Sequence, residues 1–156
     1  MLSHEAISKG FRLADVGTAD LYDFIHVIKC CLKKYVDEST EFFGEWHEEK
    51  VADDFMDKMN YTLFQKLLLH DEIVGFLCFD IRDDKIGGIS INIIEKAQNN
   101  GIGSLYLTHI ISLSKEYARP IFLKTMKSNP AQYLYKRFGF KTYEIDGPLV
   151  SMIYRP

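Results

Sequence analysis

The chain has 156 residues, 47% of them hydrophobic and 26% charged, with a formal net charge of −3. A chain of that size is read as one domain over residues 1–156, able to bury about 70% of the surface its unfolded form exposes and so to form a core without disulfide or metal staples. The acidic balance disfavours a general nucleic-acid binder, no apolar run approaches the roughly 20 residues that span a bilayer, and Met1 to Lys9 lacks an apolar signal core, so the expected address is cytoplasmic.

Phe11-Arg12-Leu13-Ala14 predicts a short strand. Thr18 is placed to cap a helix starting near Ala19, in which Leu21, Phe24, Ile25, Ile28, Leu32 and Tyr35 recur at helical spacing. The cysteines are Cys30, Cys31 and Cys78. An odd number with an adjacent pair suits neither a disulfide framework nor a zinc knuckle, so they read as small hydrophobes. No His, Cys or Asp spacing suits a metal.

From Asp37 the character changes. Asp37, Glu38, Glu41, Glu45, Glu48, Glu49, Asp53, Asp54 and Asp57 stand against Lys50. Phe42, Phe43 and Trp46 lie among these acids, and Val51, Phe55 and Met59 make a second stripe, so the stretch reads as a loop followed by an amphipathic helix. Three strands come next, Tyr61 to Leu69, Ile73 to Ile81 and Lys85 to Ile94. The short turns His70-Asp71-Glu72 and Arg82-Asp83-Asp84 make them an antiparallel meander. Ile73 to Ile81 is nearly all apolar, as in a central strand covered on both faces. Gly87-Gly88 suggests a bulge or a close backbone approach.

The apolar run ending at Ile94 leads into Gln98-Asn99-Asn100-Gly101-Ile102-Gly103 and then a segment of helical spacing to about Tyr117. The order is strand, glycine loop, helix. A helix N-terminus leaves backbone N–H groups unpaired and carries partial positive charge, which suits a phosphate, and glycine lets that phosphate approach the backbone. A lone G-x-G is weak evidence, because many strand-to-helix turns need glycine for geometry alone. The helix is apolar almost all round and so packs on a sheet. With the strand Ile121 to Met126 it makes a right-handed parallel crossover. Asn129-Pro130 starts a last helix, Ala131, Leu134, Tyr135 and Phe138 continue one face, and Gly139 ends it. Phe140 to Ile145 and Val150 to Tyr154 close the sheet across Asp146-Gly147-Pro148. The sum is an α/β fold with a mixed six- to seven-stranded sheet, an antiparallel meander followed by a parallel βαβ crossover, flanked by about four helices.

Two motifs in this order resemble those of the GNAT superfamily of acyl-CoA-dependent N-acetyltransferases, over nearly the whole chain. Gln98-Asn99-Asn100-Gly101-Ile102-Gly103 is similar to the family's pyrophosphate loop, Q/R-x-x-G-x-G/A. Asn129-Pro130-Ala131-Gln132-Tyr133-Leu134-Tyr135-Lys136-Arg137-Phe138-Gly139-Phe140 is similar to its N-x-x-A-x-x-x-Y-x-x-x-G-F element, with one residue instead of two between Asn129 and Ala131. A dinucleotide fingerprint would want a third glycine where Tyr106 stands. The resemblance implies acetyl-CoA as co-substrate in a ternary complex, with no metal. The pyrophosphate would sit on the N–H groups of Asn99, Asn100, Gly101, Ile102, Gly103 and Ser104, beside Gln98. The pantetheine amides would pair with backbone near Ile91 and Ile93 like an added strand. Asn129 would reach the pantetheine arm, and Tyr135 would serve the sulfur as general acid.

The acceptor implied is a primary amine of a small molecule, or a Lys or N-terminal amine of a peptide. Glu41 and Glu45 are candidates for the base, with His47 beside them, and Phe42, Trp46 and Asn92 for the acceptor-binding side. Family members often carry an acid on the central strand, whereas Ser90 and Asn92 occupy it here. That departure keeps a second reading open, a catalytically silent acyl-CoA-binding or partner-binding domain. The acids of 37–57, opposed to Lys115, Arg119, Lys124, Lys127, Lys136, Arg137 and Lys141 in the cofactor half, would steer a cationic amine. The strand pair at 140–154 could mediate a homodimer.

Overall fold

The computed structural model describes residues 2–156. One mixed sheet holds β1 (Phe11–Asp15), β2 (Leu63–Leu69), β3 (Glu72–Ile81), β4 (Ile86–Ile93), β5 (Ile121–Met126), β6 (Lys141–Asp146) and β7 (Leu149–Tyr154). Its spatial order is β1-β2-β3-β4-β5-β7-β6, and only β4 and β5 run parallel. The helices are α1 (His4–Ser8), α2 (Leu21–Glu38), α3 (Thr40–Phe43), α4 (Glu48–Tyr61), α5 (Ile102–Tyr117) and α6 (Ala131–Arg137). The α/β architecture is the one expected. The helix number exceeds four because α1 and α3 are pieces of five and four residues, too short to show a periodic stripe. Among the described residues no helix is long and apolar enough to cross a membrane.

Two cores lie on the two faces of the sheet. Under one face, Ile102, Tyr106, Leu107 and Ile110 of α5 pack on Leu77, Ile121, Leu123 and Met152. On the other, α2 and α4 bring Phe24, Val27, Val51 and Phe55 onto Phe64, Phe76 and Cys78. Phe24 is the hub of this second core, with ring centroids 5.1–5.6 Å from Phe55, Phe64 and Phe76. Edge-to-face contacts of this kind add to plain area burial.

Local departures have local causes. Thr18 does not cap α2. It lies in a 3₁₀ turn ahead of the helix, where the Asp20 carboxylate accepts from the Gly17 N–H at 2.8 Å and pairs with Lys66 across 2.9 Å. Asp20 wins because it can satisfy a backbone donor and a strand lysine at once. Tyr61 ends α4 rather than opening β2, and is exposed. Gly87-Gly88 does mark a bulge: the β3–β4 register shifts between Cys78 and Asp80, and Gly88 has φ +61°.

The sheet opens where β4 joins β5. They share a single register pair, Ile86 with Ile121, beside an Ile86 N–H to Pro120 O bond of 2.9 Å. Beyond that pair they diverge. The Ile94 N–H donates to Val74 O on the β3 side at 2.9 Å. Backbone groups alternate along a strand, so those of Ile93 and Ile91 turn towards the gap.

Candidate active site

The gap widens into a cavity of about 600 Å³. Its lining brings together Ile91, Asn92 and Ile93 of β4, the loop Gln98 to Ser104, Asn129, Ala131 and Leu134 at the start of α6, and Cys31, Leu32, Lys34 and Tyr35 of α2. Residues far apart in sequence therefore meet, and those of β4, the loop and Asn129 are the ones the motifs predict.

The loop is built to expose amides. Asn99 has φ +62° and Gly101 φ +74°, so the chain turns through two left-handed residues before α5. Asparagine and glycine are the residues that tolerate that region best. Asn100 fixes the turn from within: its Nδ2 donates to Ala97 O at 3.1 Å and Gln98 O at 3.0 Å, and its Oδ1 accepts from Lys9 Nζ at 3.3 Å. Gln98 Nε2 donates to Ile93 O at 2.8 Å, which ties the loop to the end of β4. Nothing lies within 4 Å of a Cβ placed on Gly101, and one on Gly103 would meet Leu134 at 3.6 Å and Ile91 at 4.0 Å. The space above Gly101 is open, whereas Gly103 lies in van der Waals reach of two cavity-lining side chains. Asn129 lines the cavity, and its Oδ1 accepts from the Ala131 N–H at 2.9 Å.

Residues 32–140 match the model of the acetyltransferase (GNAT) family. The chain belongs to that family. A [ribosomal protein bS18]-alanine N-acetyltransferase of Haemophilus influenzae is 30% identical over 81 residues, 51% of this chain and 56% of that enzyme. The chain thus spans about half the length of the curated relative it matches. A Pyrococcus horikoshii protein has the same fold, with a TM-score of 0.72, 22% identity, and coverage of 94% of this chain and 98% of that one. So has a PaiA N-acetyltransferase of Thermoplasma acidophilum solved in complex with coenzyme A, with a TM-score of 0.69, 17% identity, and coverage of 94% and 99%.

In this GNAT-family chain Tyr135 stands apart from the cavity lining. Its ring packs on Phe140 at 5.9 Å between centroids, and burial pushes its phenol up to about 12. It is therefore protonated throughout the neutral range, as a proton donor must be. Among the described residues two buried side-chain polar atoms lack partners, Trp46 Nε1 and the Tyr106 hydroxyl.

The acceptor-side candidates are less gathered. Glu41, Phe42, Glu45 and Trp46 do not line the large cavity. Glu41 and Glu45 are exposed. Trp46 packs against the Phe24 core, and the Phe42 ring lies over Gly147 in the β6–β7 turn, within 3 Å of where a Cβ would be. The acids of 37–57 are also less of an open field than their sequence suggests. Asp37 pairs with Lys33 at 2.6 Å, Asp54 with Lys58 at 3.1 Å and Glu48 with Lys29 at 3.7 Å. On β4, Asn92 is buried and donates to Ser90 Oγ at 2.7 Å.

Sequence reasoning missed Lys34 and Tyr35 as wall residues, and saw Arg137 only as part of a charge count. The signal was present in part: Cys31, Leu32, Lys34 and Tyr35 fall on adjoining turns of α2, but which turn meets the loop depends on the sheet. Among the described residues no cluster of three or more His, Cys, Asp or Glu could hold a metal.

Proposed function

We propose that the protein transfers an acetyl group from acetyl-CoA to a primary amine by direct attack in a ternary complex. The observation that carries this reading is the meeting, in one cavity, of an unpaired β4 backbone edge with the left-handed Asn99–Gly101 turn at the head of α5. Lys34 and Arg137 supply positive charge on the walls for a polyanionic carrier. Amides of Asn99 to Ser104 hold the diphosphate, the backbone groups of Ile91 and Ile93 left free by the sheet and by Gln98 pair with the pantetheine amides, and Asn129 steadies that arm. The bS18-alanine N-acetyltransferase relative and the PaiA structure with coenzyme A support the same assignment.

In the chemical step the amine nitrogen forms a bond to the thioester carbonyl carbon. Negative charge then builds on the carbonyl oxygen, where a β4 backbone N–H that the pantetheine arm leaves free can receive it. As the C–S bond breaks, the electron pair leaves with sulfur and Tyr135 supplies its proton. The proton lost by the amine goes to water held by Asn92 and from there to solvent; Glu41 and Glu45, outside the cavity, could take it only through that water. Three free cysteines and a reaction that releases a thiol suit a cytoplasmic setting. The exposed edge strand β6 is the surface through which two copies would pair.

The Ser90–Asn92 pair, standing where a carboxylate would serve as base, favours a second reading: a silent acyl-CoA-binding domain. Thiol release from acetyl-CoA with a mixed panel of primary amines separates the two. Release that depends on the amine is the expected result; binding without release would leave only the silent domain.

A further inference from the structure

We propose that the acceptor amine carries a carboxylate, and that a second, basic cavity further along the β4–β5 opening, on the side of the sheet away from α5, reads it. The proposal rests on the acetyl-transfer reading and adds the class of substrate. The cavity, of about 290 Å³, is lined by Arg82, Lys85, Gly88, Phe122, Lys124 and Tyr143 among others.

Its position follows from the strands. Gly87, Gly88 and Ile89 line it, directly after the Ile86–Ile121 pair where β4 and β5 part. Ile91, Asn92 and Ile93, the next run of the same strand, line the cofactor cavity. Ile89 and Ile93 are about 13 Å apart along β4 at the usual strand rise. A pantetheine arm that enters at the glycine loop and runs down β4 past Ile93 and Ile91 is therefore directed towards the second cavity.

Its face follows from alternation. Ile121, Leu123 and Thr125 are buried, and Phe122 and Lys124 project from the other side of β5. On that side α2 and α4 cover β2 to β4, while all of β6 is exposed. The recess is therefore open to a molecule approaching from the side away from α5.

Its charge selects the molecule. Arg82 is committed to Asp80 by two contacts of 3.0 Å. That pair is seated on Gly88, where a Cβ would come within 2.8 Å of Asp80 Oδ2. Lys85 sits over the Phe122 ring at 5.5 Å. Among the described residues no carboxylate lies within ion-pair distance of Lys85 or Lys124; the nearest acid in register is Glu144, beyond Ser151 on β6. Two ammonium groups without anionic partners, in a concavity walled by Phe122 and Tyr143 with centroids 5.8 Å apart, suit a carboxylate on a short apolar stem. They repel a polyamine. The carboxylate can belong to a free amino acid or to an acidic residue near a peptide's N-terminus; the chemistry recognised is the same.

The test compares acetyl transfer to L-glutamate, L-aspartate and peptide amides with Glu or Asp at their second and third positions against the corresponding Gln and Asn compounds and putrescine. The proposal expects the acidic members to be favoured by about tenfold in kcat/KM, equivalent to one good charged contact. Combining Lys85→Gln with Lys124→Gln should erase that preference through KM, with rates for the neutral compounds unchanged. The amino-acid and peptide arms identify the source of the carboxylate. Preference for putrescine, or an acidic preference untouched in the double variant, overturns the proposal. If no amine reacts, calorimetry with L-glutamate decides: heat that disappears in the double variant upholds the cavity while the transferase reading falls, and no heat sinks the cavity as well.

Discussion

At the scale of single residues, Tyr135 has the most specific assignment. Removing a general acid costs roughly 10²–10⁴ in rate. Tyr135→Phe should lower kcat about 100-fold and leave the KM for acetyl-CoA unchanged, because the lost hydroxyl acts on the leaving sulfur and not on the carrier's phosphates. Unchanged turnover across pH would remove Tyr135 from the mechanism. The same substitution has a stability signature. The folded phenol is raised to about 12 by burial, against about 10 unfolded, so its contribution is intact below pH 10 and is lost as pH rises towards 12. That difference corresponds to about 2–3 kcal/mol. Urea titrations at pH 9 and pH 12 should show wild type losing that much more stability than the Phe variant. The type of this residue was legible, since the motif Asn129 to Phe140 names it. Its separation from the cavity lining was not, because helical spacing gives a face but not what the face meets.

At the scale of elements, the glycine loop separates backbone strain from ligand space. Gly101 has φ +74° and open surroundings, so Gly101→Ala should cost about 1–2 kcal/mol of stability through conformation alone. Gly103 lies at ordinary helical φ between Leu134 and Ile91, so Gly103→Trp should spare the fold and fill the floor of the cavity, weakening acetyl-CoA binding at least tenfold. Chemical denaturation and ligand titration of the two variants check this; equal losses of affinity in both would mean that the loop acts through its shape alone. Elements with a strong period or a glycine stop were legible, as at Gly139 with φ +95°. Those fixed by a distant partner were not. The start of α2 depends on Lys66 reaching Asp20, and α1 on Ser3 Oγ accepting from the Ala6 N–H at 3.1 Å.

At the scale of the molecule, one broken ladder organises everything. A sheet that paired β4 with β5 along their full length would have no cofactor cavity and no second recess. The loop and α6 parts of the proposed cofactor site were legible because they are contiguous in two motifs. The recess proposed for the acceptor's carboxylate was not: Lys85, Phe122, Lys124 and Tyr143 are brought together only by strand order. Of the nine acids of 37–57, prominent in the sequence, Asp37, Glu48 and Asp54 are paired with neighbouring lysines.

The central claim is that backbone amides from Asn99 to Ser104 hold the diphosphate of an acyl carrier. Titration calorimetry of acetyl-CoA into the protein, set beside acetyl-pantetheine, which keeps the thioester arm but has no diphosphate, tests it most directly. The account expects one site per chain for acetyl-CoA and binding at least tenfold weaker for acetyl-pantetheine. No heat with acetyl-CoA, or equal affinity for the two, would contradict it.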